Sequence, residues 1–388
     1  MPIDNSSPLT YHGHHKLASS SSCLNTQTAK PPCFLSSPSM AAFIFLLISL
    51  LTLTGDVLSE HTTTTTSLYH SPKTIFSNYD NMLHSFKIFL YPPPPSSTDA
   101  PLFTTTQESN FYQSLLRSPF VTDDPTHAHL FFLPFPSSTS TRNLARLIRN
   151  IRVTFPFWNR TLGADHFYLS SAGVDSSSDR NVVELKKNSV QISCFPASSG
   201  LFIPHKDVTL PPVHSFQSIP SVNATPSFLG YMKLTDHQIP VTLTTLIEEI
   251  TDHPDFTVEY DPPASKKAKF CLFVYGGSDM TWMVEAMASR CVPVVITDRP
   301  IQDLPLMDVI DWSKMAVFVG PGGGAKGLKR VLEGIGEGEY EEMMESGVAA
   351  TRHLGWNAEA QPHDAFHMVI YQLWLRRHTI RYARWVEQ

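Results

Sequence analysis

The sequence predicts an α/β protein of two lobes, each built around a parallel sheet, on the strength of three observations. From about Phe86 onward, short apolar runs alternate with stretches of helical periodicity, as strands and helices do in α/β folds. The run at 129–133 is apolar nearly throughout, which is typical of a strand covered on both faces in a parallel sheet. A proline-rich stretch at 204–220 interrupts the alternation, which then restarts. We therefore expect two α/β lobes of similar size with a cleft between them.

Each predicted element follows from its own periodicity. The first lobe, over 83–220, is expected to contain strands at 87–91, 129–133, 166–169 and 190–193 and helices at 110–116 and 141–154. The second lobe, over 221–388, is expected to contain strands at 270–274, 292–296 and 315–319 and helices at 242–251, 281–289, 326–335, 339–353 and 364–384. The helix at 141–154 shows the signal most clearly, because Leu144, Leu147, Ile148 and Ile151 recur at helical spacing.

The first 82 of the 388 residues have a different character. Residues 1–38 are rich in Ser, Thr, Pro and His, which predicts a disordered cytosolic tail. An uncharged apolar run from Ala41 to Leu53 follows. Because no Ala-x-Ala cleavage motif accompanies it, the run favours an uncleaved signal anchor over 39–58 rather than a removed signal peptide. A Thr-rich stem is predicted over 59–82, and the remainder of the chain is expected to be lumenal, with possible N-glycans at the sequons of Asn159 and Asn223.

Charge and cysteine content restrict the function further. A formal net charge of −6 leaves no basic footprint for nucleic acid. Cys194, Cys271 and Cys291 follow the apolar run, and this odd set permits one disulfide and one thiol, or no disulfide. The positions of Cys271 and Cys291 at the edges of apolar runs favour buried, inert thiols.

Several stretches, in the expected order over about 86–382, resemble one known family. They are AHLFFLPF at 128–135, WNRT at 158–161, DHF at 165–167, HKDVTLP at 205–211, CVPVVITD at 291–298, DVIDW at 308–312 and DAFHM at 364–368. These stretches are similar to those of the exostosin family, glycosyltransferase family 47, and particularly to its plant cell-wall members. The resemblance implies a GT-B-like fold of two Rossmann-like lobes, with the nucleotide sugar on the second lobe and the acceptor mainly on the first. It also implies inverting, metal-independent transfer in the Golgi, with a nucleotide sugar as co-substrate and no further cofactor.

The candidate donor-binding residues lie in the second lobe. Gly276 and Gly277 occupy a loop between a predicted strand and helix, where glycine lets the backbone approach phosphate and a helix N-terminus supplies N–H groups. The resemblance implies that Glu285 accepts hydrogen bonds from the ribose hydroxyls, and the alternative is a helix-surface glutamate. Asp298 ends a predicted strand, where α/β sheets place ligand contacts, although it could equally cap the turn.

Asp165 and His166 are the candidate catalytic pair in the first lobe, where the acceptor hydroxyl would arrive. Histidine can act as a base near neutral pH, so His166 could remove the acceptor proton. The alternative is a histidine whose hydrogen bonds are satisfied within the fold.

The chain departs from the family pattern at three places. Trp282 stands where family members carry an arginine, Ala172-Gly173 replaces a His-Asp pair, and the arginines expected around 228–230 are absent. Tryptophan cannot supply the charge of an arginine beside a diphosphate. Arg290 and Arg299 are the nearby cations that could compensate. We therefore expect weak transfer, and expect Trp282→Arg to increase rate or donor affinity.

These features leave three functions open. The first is an active Golgi glycosyltransferase that uses a nucleotide sugar, with UDP the expected nucleotide, and a polysaccharide or glycoprotein glycan as acceptor. The second is a catalytically impaired member that acts as a binding or scaffold subunit beside other Golgi glycosyltransferases. The third is a secreted lectin-like protein, which requires cleavage of the anchor. An arginine that reaches the loop at Gly276 would favour the first.

Overall fold

The computed structural model describes seven ranges of the chain: residues 67–94, 101–197, 201–213, 226–234, 241–260, 268–276 and 279–385. The predicted tail, the predicted anchor, Gly277 and Asn223 lie outside these ranges. Within them, no helix combines the length and the apolar character that crossing a bilayer requires.

The first sheet contains five parallel strands in sequential order, β1 to β5. They are Ile88–Leu90, Leu130–Leu133, His166–Leu169, Val190–Cys194 and Val208–Leu210. The last strand lies inside the proline-rich stretch that was predicted to be only a crossing between lobes. It escaped prediction because three residues, all of them buried, are too few to show a period.

Helices flank this sheet, and three of the five begin at a side-chain cap. They are α1 Pro72–Ser85, α2 Thr106–Arg117, α3 Thr141–Thr154, α4 Phe157–Thr161 and α5 Arg180–Asn188. The Ser140 hydroxyl accepts a hydrogen bond from the Asn143 N–H at 3.4 Å and caps α3. Three of the four residues that defined its apolar stripe, Leu144, Ile148 and Ile151, are buried, and Leu147 is partly buried. The stripe therefore faces the first sheet, as its periodicity predicted.

The second sheet also contains five parallel strands, in the order β10-β9-β8-β6-β7. They are β6 Phe228–Leu234, β7 Phe256–Tyr260, β8 Ala268–Val274, β9 Val292–Ile296 and β10 Val317–Val319. Its helices are α6 Val241–Thr251, α7 Met283–Ala288, α8 Gly324–Glu333, α9 Glu337–Leu354 and α10 Ala365–Trp385. Two parallel-sheet α/β lobes were predicted, and the structure confirms them.

A disulfide joins Cys271 of β8 to Cys291, the residue before β9, with their Cα atoms 5.7 Å apart. The register of the two strands explains the pairing, because Cys271 lies opposite Pro293, two residues beyond Cys291. The expectation of inert thiols was therefore wrong for these two residues. Cys194 is the free cysteine of the described part of the chain.

Segments from both sides of the chain hold the lobes together. The last helix, α10, packs on the first lobe, where Phe366 lies 5.6 Å from Phe111 between ring centroids. Leu68, which precedes the first lobe, contacts the second lobe. Its carbonyl accepts a hydrogen bond from the Asp311 N–H at 2.9 Å. The described part of the predicted stem thus contains most of α1, whose Ile75 and Tyr79 are buried in the shared apolar core.

Candidate functional site

The strand order of the second sheet marks the edge at which a ligand is expected. The chain leaves β6 towards β7 on one side, whereas β8 leads to β9 on the other, so the direction of winding reverses between β6 and β8. Open α/β sheets bind ligands at the carboxyl ends of the strands at such a reversal. The first sheet is wound in one direction and has no equivalent point among its described strands.

Tyr275 and Gly276 directly follow the carboxyl end of β8 at this reversal. Gly276 has φ +75°, and a Cβ added there would meet no atom within 4 Å. Glycine is therefore favoured here for its left-handed backbone conformation and not for lack of space. Gly276 is exposed in the loop that follows this strand.

Arg299 lies on the neighbouring loop, after the carboxyl end of β9. Its guanidinium carbon lies 5.6 Å from the centroid of the Tyr275 ring, so the two loops are in contact. The Thr297 hydroxyl fixes the turn, because it accepts from the Arg299 N–H at 3.2 Å and donates to the Arg299 carbonyl at 2.7 Å. Asp298, also predicted as a donor contact, is exposed in the same turn.

Arg290, the other candidate cation, lies at the opposite edge of the sheet. It stands two residues before β9, in the left-handed region with φ 63°. A strand of five residues is roughly 16 Å long, so β9 separates Arg290 from Arg299. Of these two arginines, the topology brings Arg299 alone beside Gly276.

Asp303 connects this edge to the first lobe. Its side chain is 4% exposed and accepts a hydrogen bond from the Tyr275 hydroxyl at 2.5 Å and from the Ala197 N–H at 2.7 Å. Its carbonyl accepts from the Thr209 hydroxyl of β5 at 2.9 Å. Burial and then the Asp303 carboxylate raise the pKa of the Tyr275 phenol well above its ordinary value. The Tyr275 hydroxyl is therefore neutral and donates a hydrogen bond to the Asp303 carboxylate.

Trp282 is not part of the exposed loop. Its side chain is 4% exposed and packs against Phe273 and Tyr231 at centroid distances of 4.4 and 6.0 Å. Its indole N–H is buried without a hydrogen-bond partner in the described part of the chain. The position at which the resemblance led us to expect an arginine is thus occupied by a core residue.

The helix after the glycine loop is shorter than predicted. α7 spans only Met283–Ala288, and the Asp279 carboxylate already accepts the Thr281 N–H at 2.8 Å. The helix therefore begins two residues later than predicted, and Thr281 belongs to the loop that precedes it. Glu285 is half-buried on α7, and no hydrogen bond or ion pair of its carboxylate is seen among the described residues.

The predicted catalytic pair lies at the amino edge of the first sheet, opposite the edge at which parallel sheets bind ligands. Asp165 and His166 are fully buried at the amino end of β3. The His166 Nδ1 lies 2.8 Å from the Asp165 Oδ1, and its Nε2 lies 3.0 Å from the Tyr91 hydroxyl. A general base must reach the acceptor hydroxyl. This geometry favours the alternative of a structural histidine, and we do not assign the base to this pair.

Hydrogen bonds explain how a carboxylate persists at that position. Burial alone would raise the pKa of Asp165, but hydrogen bonds from His166, Thr161 and Arg160 outweigh it and hold the pKa well below its ordinary range. The Arg160 Nη2 lies 2.9 Å from the Asp165 Oδ2. Asp165 thus anchors the turn that precedes β3.

A polar cluster at the carboxyl edge of the first sheet was missed by sequence reasoning. Glu108 is fully buried and accepts from Ser171 and Ser137, which follow β3 and β2, at 2.7 and 3.0 Å. It also accepts from the Thr105 hydroxyl at 2.8 Å. The Thr105-x-x-Glu108 capping box was the available signal. Burial, the main cause, raises the pKa of the adjoining Cys194 thiol to about 11.

A second glycine loop, at 320–324, was also missed, although it leads from β10 into α8. Its helix N-terminus is already occupied, because the Ala325 N–H donates to the Glu249 carboxylate at 3.0 Å. A side chain at Gly324 would overlap that carboxylate. This loop therefore serves the packing of α8 on α6.

The predicted glycosylation site Asn159 is exposed on α4, where its side-chain oxygen accepts from the Arg152 Nε at 3.2 Å. No group of three or more His, Cys, Asp or Glu side chains suited to a metal ion is found among the described residues.

Comparison with known proteins places the chain in one family. A profile of the exostosin GT47 domain matches residues 82–333. Two probable glycosyltransferases of Arabidopsis thaliana are each 29% identical over 81% of this chain and over 72% and 66% of their own length. A probable β-1,4-xylosyltransferase of the same plant is 24% identical over 67% of this chain and 72% of its own. A probable glucuronosyltransferase of Oryza sativa is also 24% identical, over 67% and 71%.

Proposed function

Because this chain belongs to the exostosin GT47 family of glycosyltransferases, we propose that it transfers a sugar from a nucleotide-sugar donor to a plant cell-wall polysaccharide or glycoprotein glycan. The observation that carries the proposal is the pairing of Gly276 and Arg299 on adjacent loops at the winding reversal of the second sheet. Backbone open to a phosphate and an arginine beside it are what a departing nucleoside diphosphate requires.

Arg299 takes the role that the missing family arginine would have had. It is exposed, and no carboxylate neutralises it among the described residues. Charge-assisted hydrogen bonds from its guanidinium would stabilise the negative charge that develops on the leaving diphosphate. We include in the proposal an inverting reaction in which the protein, and not a metal ion, supplies this charge.

The proposed location is the Golgi membrane, with a single type II anchor and the two lobes in the lumen. Three features support it. The uncharged apolar run from Ala41 to Leu53 has the character of a signal anchor. The disulfide between Cys271 and Cys291 is of a kind that persists in oxidising compartments, and Asn159 is an exposed sequon.

A matched pair of arginine variants tests the proposed function. The full-length protein is titrated with UDP and assayed with UDP-xylose and UDP-glucuronic acid, the donors suggested by the names of its relatives. Arg299→Ala should weaken UDP binding or turnover by at least about ten-fold, because a charged hydrogen bond contributes about 1.5–3 kcal/mol. Arg290→Ala removes the same charge at the far edge and should change neither. Loss of activity in Arg290→Ala alone would contradict the assignment.

One observation favours the second candidate function, a scaffold subunit. The described residues offer no exposed base at the Asp165–His166 position, since both side chains are fully buried. A wild-type protein that binds no nucleotide, hydrolyses no UDP-sugar and co-purifies with an active transferase would support the scaffold over the enzyme.

A further inference from the structure

We propose that Asp303 is a positioning residue of the donor site, which fixes Tyr275 and, through its ring, Arg299, and ties this arrangement to the first lobe. The inference rests on the proposed function, because it assigns a role within the same site. It adds a residue that neither the sequence motifs nor the family resemblance had singled out.

The two carboxylate oxygens of Asp303 serve different lobes. Oδ1 accepts from the Tyr275 hydroxyl of the second lobe, and Oδ2 accepts from the Ala197 N–H of the first. The hydrogen bond from Thr209 to the Asp303 carbonyl holds the residue from a third side. A carboxylate that is only 4% exposed loses much of its hydration, so its hydrogen bonds must compensate. Their geometry is therefore closely constrained.

Tyr275 transmits this constraint to the ligand edge. It is the residue before Gly276, and its ring lies under the Arg299 guanidinium. A cation–π contact favours one placement of an exposed arginine that would otherwise sample many rotamers. When the hydroxyl of Tyr275 is held by Asp303, the ring is fixed, and less side-chain entropy is lost as Arg299 engages a diphosphate.

The same network couples donor binding to the contact between the lobes. The Ala197 N–H belongs to the segment that follows β4, and Thr209 belongs to β5, so both partners come from the first lobe. Loss of the Asp303 charge should therefore loosen the donor site and the lobe contact together.

The experiment measures UDP and GDP binding by titration calorimetry on full-length protein. Asp303→Asn retains the shape but places an N–H₂ group against one of two donors, and the dissociation constant for UDP should rise about ten-fold. Tyr275→Phe retains the ring and removes the hydroxyl, and should shift binding in the same direction. Asp364→Asn is the control, because this buried carboxylate accepts the N–H groups of Gln361 and His367 away from the site. It should lower thermal stability and leave UDP binding unchanged.

A double-mutant cycle separates positioning from general destabilisation. If Asp303 acts through Arg299, Asp303→Asn should add little to the loss already caused by Arg299→Ala. Fully additive losses, or wild-type UDP affinity in Asp303→Asn, would overturn the inference and leave the proposed function standing. If Asp303→Asn does not fold, the cycle of Tyr275→Phe with Arg299→Ala decides by the same criterion. A wild-type protein that binds neither UDP nor GDP would instead overturn the proposed function, and this inference with it.

Discussion

Trp282 shows how one residue can change the chemistry expected of a whole site. The family resemblance led us to expect a cation near the leaving group at this position, whereas a tryptophan packs here between Phe273 and Tyr231. The sequence-based expectation that Trp282→Arg would improve the enzyme assumed an open position. Because the side chain is only 4% exposed, an arginine there would place an unpaired charge in apolar surroundings.

We predict that Trp282→Arg lowers the free energy of unfolding by about 3–5 kcal/mol and does not improve UDP binding. Trp282→Phe should cost far less, because it keeps an aromatic ring and removes an indole N–H that has no partner among the described residues. Chemical denaturation followed by tryptophan fluorescence and calorimetric UDP titration measure both quantities. A stable Trp282→Arg protein with tighter UDP binding would restore the original expectation.

The position of Asp165 and His166 could have been predicted more sharply from the sequence. Asp165 directly precedes a predicted strand and His166 begins it, which already put them at the amino edge of a parallel sheet, opposite the edge at which such sheets bind ligands. What the sequence could not show was that Tyr91, at the end of β1, would lie 3.0 Å from the His166 ring nitrogen.

At the scale of elements, most strands of the two lobes were predicted, and β6 and β7 were among those that were not. The strands β6 and β7 escaped prediction because Gly230 and Lys233 interrupt the apolar pattern of the first and Glu259 that of the second. Gly230 is explained only by packing, since a side chain there would collide with the Phe256 ring of β7. Asp303 could not be singled out from the sequence, because its partners in the first lobe lie about 100 residues away along the chain.

The disulfide between β8 and the start of β9 gives a prediction at this scale. It closes a loop of 20 residues, so its reduction should lower the free energy of unfolding by about 3 kcal/mol. Dithiothreitol should therefore lower the melting temperature of the wild type and of Cys194→Ser, but should not lower that of Cys271→Ser/Cys291→Ser further. If complete reduction left the melting temperature of the wild type unchanged, the disulfide would not stabilise the sheet.

At the scale of the whole molecule, the proposed membrane topology is directly measurable. Protease treatment of intact plant microsomes should spare the chain beyond Glu60, and detergent should expose it. Peptide N-glycosidase should increase the gel mobility of the wild type. The shift should be smaller for Asn159→Gln, because Asn159 is exposed on α4. Asn150→Gln is the matched control, because Asn150 lies outside any sequon. Digestion of the lobes without detergent would contradict the lumenal placement.

The packing of α10 on the first lobe has a consequence for biosynthesis. Arg376 donates hydrogen bonds to the carbonyls of Lys206 and Asp207, and its partner Lys206 was made 170 residues earlier. At about 5–20 residues per second, a ribosome needs roughly 10–30 s to cover that distance. During this interval the second lobe is synthesised. The apolar surface around Phe111 stays uncovered until Phe366 has been added. We therefore expect the first lobe to reach its full stability only after α10 has been synthesised.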